Sequence, residues 1–125
     1  MAEIDKNIVR SGEIIMKAHL NKDNMPAKLE WKASDGPHAK FEDCGAFLIS
    51  VWDRERKEQL QVNLWELEMT MEEMNHFYFQ TLINLSNTLE RSTRNAEEAE
   101  HLREYAKEFG IRNNVLKKKE EKEEK

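Results

Sequence analysis

The sequence predicts an α+β domain: a four-stranded antiparallel sheet followed by two C-terminal helices packed on one face. Three observations predict it. Apolar residues alternate with period two through the first half of the chain, and the period changes to helical spacing after Thr70. Strands therefore precede helices, an order that puts the helices on one face of a sheet. A chain of 125 residues is also enough for one domain and not comfortably two.

The first strand places Ile14, Met16, Ala18 and Leu20 on one face, with Glu13, Lys17 and His19 on the other. Ile15 interrupts the polar side. Asn21-Lys22-Asp23-Asn24 is turn chemistry, reinforced by Pro26. In the second strand Leu29, Trp31 and Ala33 point inward, against Lys28, Glu30 and Lys32. Ser34-Asp35-Gly36-Pro37 ends it, and 38–43 reads as a loop or a ragged strand start.

Strands three and four, Ala46–Trp52 and Gln59–Trp65, flank the charged loop Asp53–Glu58, short enough to join antiparallel neighbours. A turn centred between Glu55 and Arg56 sets Phe47 against Leu64, Ile49 against Val62 and Val51 against Leu60. That face is wholly apolar and is assigned to the core. The opposite face mixes Ala46, Leu48, Ser50 and Trp52 with Gln59, Gln61, Asn63 and Trp65. A plain solvent face needs neither tryptophan.

Thr70 and Glu73 match the S/T-x-x-E capping box. Apolar residues then recur at 74, 78, 82, 85 and 89, predicting a helix to about Arg91. Phe77, Phe79 and Ile83 widen its apolar surface. Ser92-Thr93-Arg94-Asn95 breaks it, and Asn95 caps a second helix with Glu97 and Glu98 in its first turn. Ala99, Leu102, Ala106 and Phe109 form the second stripe, with Gly110 as C-terminal cap. The expected organisation is a flexible segment over 1–12, one domain over 13–110 and a charged tail over 111–125. The Lys/Glu run Lys117–Lys125 suits either a solvated helix or disorder.

Composition restricts function. Charged residues reach 36% and hydrophobic ones 38%, so the core must be narrow. The net charge of −5 disfavours nucleic acid and anionic membrane. The cations at Lys117–Lys119 are cancelled by Glu120, Glu121, Glu123 and Glu124. One cysteine, Cys44, forms no internal disulfide and fits a reducing compartment. The N-terminus lacks a signal-peptide stretch, and the longest apolar run elsewhere, Ala46–Ile49, is far short of the ~20 residues that span a bilayer. A cytoplasmic, non-membrane-spanning protein is expected.

The search for chemistry is negative. His19, His38, His76 and His101 show no H-E-x-x-H or C-x-x-C spacing, and the four glycines stand singly. No cofactor, metal ligand or catalytic residue is expected. An undetected enzyme would need a cleft gathering polar groups such as His76 with Glu73 and Gln80 on one helical face. The aromatics interleave with acids, as in Trp65-Glu66 and Trp52-Asp53, which is wrong for stacking on nucleic acid. Apolar surface in excess remains. It fits a core larger than a thin two-layer domain needs, self-association into a dimer or tetramer, or a groove for another protein's apolar segment. Leu48, Trp52 and Trp65 are the expected binding or oligomer surface.

Several stretches carry a resemblance: Ser50-Val51-Trp52-Asp53, Asn63-Leu64-Trp65-Glu66-Leu67-Glu68-Met69, Glu73-Met74, Phe77, Gln80-Thr81-Leu82, and Pro26 with Leu29-Glu30-Trp31-Lys32-Ala33-Ser34-Asp35. Together they resemble the gliding-motility GldC family over about Glu13 to Gly110. The sequence departs at Asn63, where Asp is common, and at Glu66-Leu67, where Thr-Lys is common. The resemblance implies a non-enzymatic accessory protein of gliding machinery and no catalytic or cofactor residue. The order of four strands and two helices is also similar to the export chaperone SecB, an oligomeric family that holds unfolded segments. That likeness is architectural, without a motif match.

Overall fold

The computed structural model describes residues 7–117. The element order is β1 (Ile14–Leu20), β2 (Pro26–Ala33), a 3-10 turn (Gly36–His38), β3 (Glu42–Cys44), β4 (Ala46–Asp53), β5 (Glu58–Trp65), α1 (Met71–Thr93) and α2 (Ala96–Arg112). The class is α+β, strands first, as expected. The chain divides into two compact units between Met69 and Thr70. The Lys/Glu run from residue 118 onward, and residues 1–6 of the N-terminal segment, lie outside the described residues.

The single four-stranded sheet is corrected. Among the described residues five strands form two sheets, β1-β2-β3 and β4-β5, all antiparallel. β3 begins at the end of the segment read as a loop or ragged strand start, and its Cys44, Asp43 and Glu42 pair with Leu29, Glu30 and Trp31. Gly45 separates β3 from β4. The Met69 side chain occupies the space that a Cβ at Gly45 would take, with its Sδ 2.5 Å from that position. The backbone thus changes sheets where a close neighbour requires glycine.

In the three-stranded sheet, Ala18, Met16 and Ile14 stand opposite Leu29, Trp31 and Ala33. Leu29 is completely buried. The β1–β2 turn is held by Asn21, whose Oδ1 accepts the Asp23 and Met25 N–H groups, and by Asn24 in the left-handed conformation. The inward face expected of β1 is mostly open: Ile14 and Leu20 are exposed and Met16 is half-buried.

The second unit is an antiparallel helix pair. The capping box at Thr70 is reciprocal: Thr70 Oγ1 accepts the Glu73 N–H, and the Glu73 carboxylate accepts the Thr70 N–H. Asn95 caps α2 by accepting the Glu98 N–H. Arg94, left-handed at φ 60°, donates its N–H to Glu90 O and closes α1.

Two helix expectations are corrected. Tyr78 and Leu85, placed in the α1 stripe, are exposed, whereas Phe79 and Ile83 are half-buried and Ser86 is fully buried. Spacing alone did not say which of two adjacent apolar stripes faces the partner helix. Ser86 is tolerated inside because its hydroxyl donates to Leu82 O. Gly110 is not the cap. It is buried inside α2, which continues to Arg112. The helix ends in a Schellman arrangement, with Asn114 left-handed, its N–H on Ile111 O and the Val115 N–H on Gly110 O.

Candidate functional site

The β4–β5 hairpin owes its geometry to its turn. Asp53 Oδ1 accepts the Glu55 and Arg56 N–H groups, its Oδ2 takes the Arg56 guanidinium, and Lys57 is left-handed. These bonds, led by the Arg56 N–H, hold the Asp53 carboxyl below its ordinary value. The resulting register is the one expected: Phe47 opposite Leu64, Ile49 opposite Val62, Val51 opposite Leu60. Side-chain alternation then puts Leu48, Trp52 and Trp65 on one common face.

That face is not one continuous patch. Trp65 stands opposite Ala46, and Leu48 opposite Asn63, so Leu48 and Trp65 are diagonal neighbours at the base. Trp52 lies four residues further along β4, about 13 Å away at ~3.3 Å per residue. Polar pairs fill the interval: Gln59 donates to Ser50, and Asn63 to Gln61. Leu48, Trp65 and Trp52 are 38%, 52% and 62% exposed. Two of the three expected site residues are therefore brought together; Trp52 belongs to the tip.

The base of this face opens into a groove of about 270 Å³ lined by Met25, Pro26, Asn63, Leu64, Trp65 and Leu67. Its floor is tied together by the Leu67 N–H, which donates to Pro26 O, while the Glu66 N–H donates to Gly45 O. Met25 and Leu67 are exposed. The lining is mainly apolar, and the volume falls just under the ~300 Å³ at which small-molecule pockets begin. It suits an apolar side chain of a peptide better than a cofactor. Sequence reasoning missed Met25, Pro26 and Leu67; the first two come to the groove by a long-range approach that the Leu67–Pro26 hydrogen bond marks.

The other face of the hairpin was assigned wholly to the core, and this is corrected. Phe47 is 7% exposed, and Ile49 and Leu64 are half-buried, but Val51, Leu60 and Val62 are 51%, 47% and 52% exposed. The face is covered at its base and open at its tip. The signal was present in the sequence as an unbroken apolar face, but extent of cover is a tertiary property.

In the helical unit a polar cleft of about 540 Å³ lies among Asn87, Glu90, Arg91, Arg94, Ala96 and Arg103. Arg103 donates there to Asn87, Glu90 and Glu100. Its hydrogen bonds to Glu90 and then Glu100 push its pKa up further. Arg103 thus clamps the two helices together, and Arg91 and Arg94 line the same cleft.

Glu73, His76 and Gln80 are all exposed, and Glu73 is engaged by Thr70. His19 pairs with Glu30, and His38 with Glu42 while its ring lies 4.7 Å from that of Trp31. Burial, then the Asp43 charge, pushes the Cys44 thiol up, away from the thiolate. Among the described residues, no group of three or more His, Cys, Asp or Glu is placed to hold a metal, and no helix is long and apolar enough to cross a membrane.

A family model described as "Gliding motility-associated protein GldC-like" matches residues 26–115, which include both hairpin strands, the groove residues other than Met25, and both helices. No curated protein and no solved structure matches the chain.

Proposed function

The chain belongs to the GldC-like family of gliding motility-associated proteins, and from that premise we propose that it is a non-enzymatic, cytoplasmic adaptor that binds protein and works as a homo-oligomer. The carrying observation is the solvent-open apolar groove at Trp65, continuous with Leu48. A protein segment presenting an apolar side chain to Met25, Pro26, Trp65 and Leu67 removes that surface from water. Each large apolar side chain so covered contributes up to roughly 1.5–3 kcal/mol. The neighbouring Asn63 and Gln61 amides offer hydrogen bonds to an extended segment.

A photo-crosslinking amino acid placed at position 67 in the native bacterium tests the adaptor reading. The expected result is a discrete protein adduct that disappears when Trp65→Asp is added and survives Trp52→Asp. A smear of unrelated adducts, or none, removes it.

The open tip of the hairpin, apolar on one face and carrying Trp52 on the other, favours a second reading. Here the protein is a SecB-like holdase for unfolded or exported segments. It then suppresses aggregation of an unrelated unfolded client, and Trp52→Asp or Trp65→Asp weakens the effect. No suppression at excess protein sinks this reading.

A further inference from the structure

The β4–β5 hairpin forms a two-stranded sheet of its own. Among the described strands β4 hydrogen-bonds only to β5, so its outer edge is an open row of backbone donors and acceptors. That edge runs Ala46–Asp53 with no lysine, no proline and no charge before Asp53. Its ladder with β5 has no bulge. These are the devices with which free edges avoid other strands, and β4 uses none. The contrast with β1, which carries Lys17 and His19, and β3, which carries Glu42 and Asp43, is direct. A two-stranded hairpin is marginal without further pairing or cover, and this one is open on both faces at its tip.

We propose that the outer edge of β4 pairs with the same edge of a second copy of this chain, antiparallel about a twofold axis through Ile49. Two hairpins thereby join into one four-stranded sheet. The proposal rests on the homo-oligomer reading above and gives it a surface and a register.

The sequence of β4 is complementary to itself in that register. With Ile49 on the axis, Phe47 lies opposite Val51 of the second copy, so the two apolar faces become one. Trp52 lies opposite Ala46, large against small, and Leu48 opposite Ser50. Asp53 lies opposite Gly45 and meets no like charge. An axis at Ser50 instead sets Asp53 against Phe47, and an axis at Leu48 sets Asp53 against Asp43. An axis between residues joins the apolar face of one copy to the mixed face of the other, because alternation has period two. Only the Ile49 register leaves no carboxylate against an apolar ring or another carboxylate. It also lays the open tip of each hairpin, at Val51, beside the covered base of the other, at Phe47. The symmetric pairing is isologous, so it closes at two copies and leaves no further edge of β4 exposed.

The test uses the full chain. Light scattering across a micromolar range is expected to return the mass of two chains. Ser50→Lys, on the exposed face and opposite Leu48 of the second copy, is expected to return the mass of one chain with an unchanged circular dichroism spectrum. In a Cys44→Ser background, Ile49→Cys is expected to form a covalent dimer on mild oxidation, since paired strand positions bring Cα atoms within disulfide reach. A wild-type protein that stays at one chain overturns the proposal. So does a dimer that withstands Ser50→Lys and gives no cross-link at Ile49→Cys, because its interface then lies elsewhere. Photo-crosslinking from the Trp65 groove in the Ser50→Lys variant separates the two readings: an adduct there sustains the adaptor function even where the edge pairing fails.

Discussion

The ring of Phe79 on α1 lies against the bare backbone of Gly110 on α2: a Cβ at Gly110 would stand 3.1 Å from Phe79 Cδ1. Leu116 closes the same point from the returning chain, with its Cγ 2.9 Å from that position. Glycine is needed here for close approach, which explains its burial in the middle of the last helical turns.

Gly110→Ala therefore sets two effects against each other. Alanine in a helix gains about 1 kcal/mol over glycine. Overpacking at a closed contact costs roughly 1–3 kcal/mol. Neither neighbour offers only a flexible chain end, so the second effect wins, and a net loss of about 1 kcal/mol is expected in urea unfolding. A gain in stability would show that Leu116 swings away freely.

The first turn of α1 hangs on the reciprocal pair Thr70 and Glu73. Thr70→Ala leaves the Glu73 N–H without its acceptor and is expected to cost about 1 kcal/mol. Thr70→Ser keeps the hydroxyl and is expected to restore most of it. Chemical denaturation of the three proteins side by side decides the matter.

Arg103 joins the helices through a fork: Nε and Nη2 both reach Asn87 Oδ1, Nη2 also reaches Glu90, and Nη1 reaches Glu100. Lysine keeps the charge and loses the fork. The melting temperature of Arg103→Lys is expected to fall most of the way to that of Arg103→Ala. A wild-type value for Arg103→Lys would reduce the clamp to simple charge attraction.

Asp53 supplies an acid-sensitive hinge in the hairpin. Its folded pKa lies below the ordinary 3.8, first through the Arg56 N–H it accepts. A carboxylate with a depressed pKa stabilises the fold above its unfolded value, and that contribution is lost as the pH falls through the folded value. The hairpin is thus expected to keep its full stability above about pH 4 and to loosen progressively below it. Trp52 fluorescence, read one residue from the turn, monitors the change. Asp53→Asn is expected to flatten this acid response, and an unchanged acid profile would assign it to other carboxylates.

Local chemistry was legible in the sequence. The Asp53–Glu58 loop implied the register Phe47–Leu64 and hence the common face of Leu48, Trp52 and Trp65. Thr70, Glu73 and Asn95 announced both helix starts. The short strand β3 showed no more than a loop or ragged strand start in the sequence, because three residues, two of them acidic, carry no periodicity; Leu29–Trp31 pair with them only after the chain has folded back. Met25 and Pro26 of the candidate groove escaped for the same reason, since they lie some forty residues before Trp65.

Class, strand-then-helix order, hairpin register and the N-caps of both helices were written in the sequence. Each of these depends on neighbours within a few residues, where alternation, turn residues and capping side chains act directly. The split of the sheet at Gly45, the cover of the apolar hairpin face at Phe47 with its opening at Val51, and the packing of Gly110 came from long-range contacts. Those outcomes depend on which distant side chain arrives first at a given surface: Met69 at Gly45, and Phe79 at Gly110. An apolar pattern states that a surface prefers to leave water; the partner that covers it is set by the long-range path of the chain.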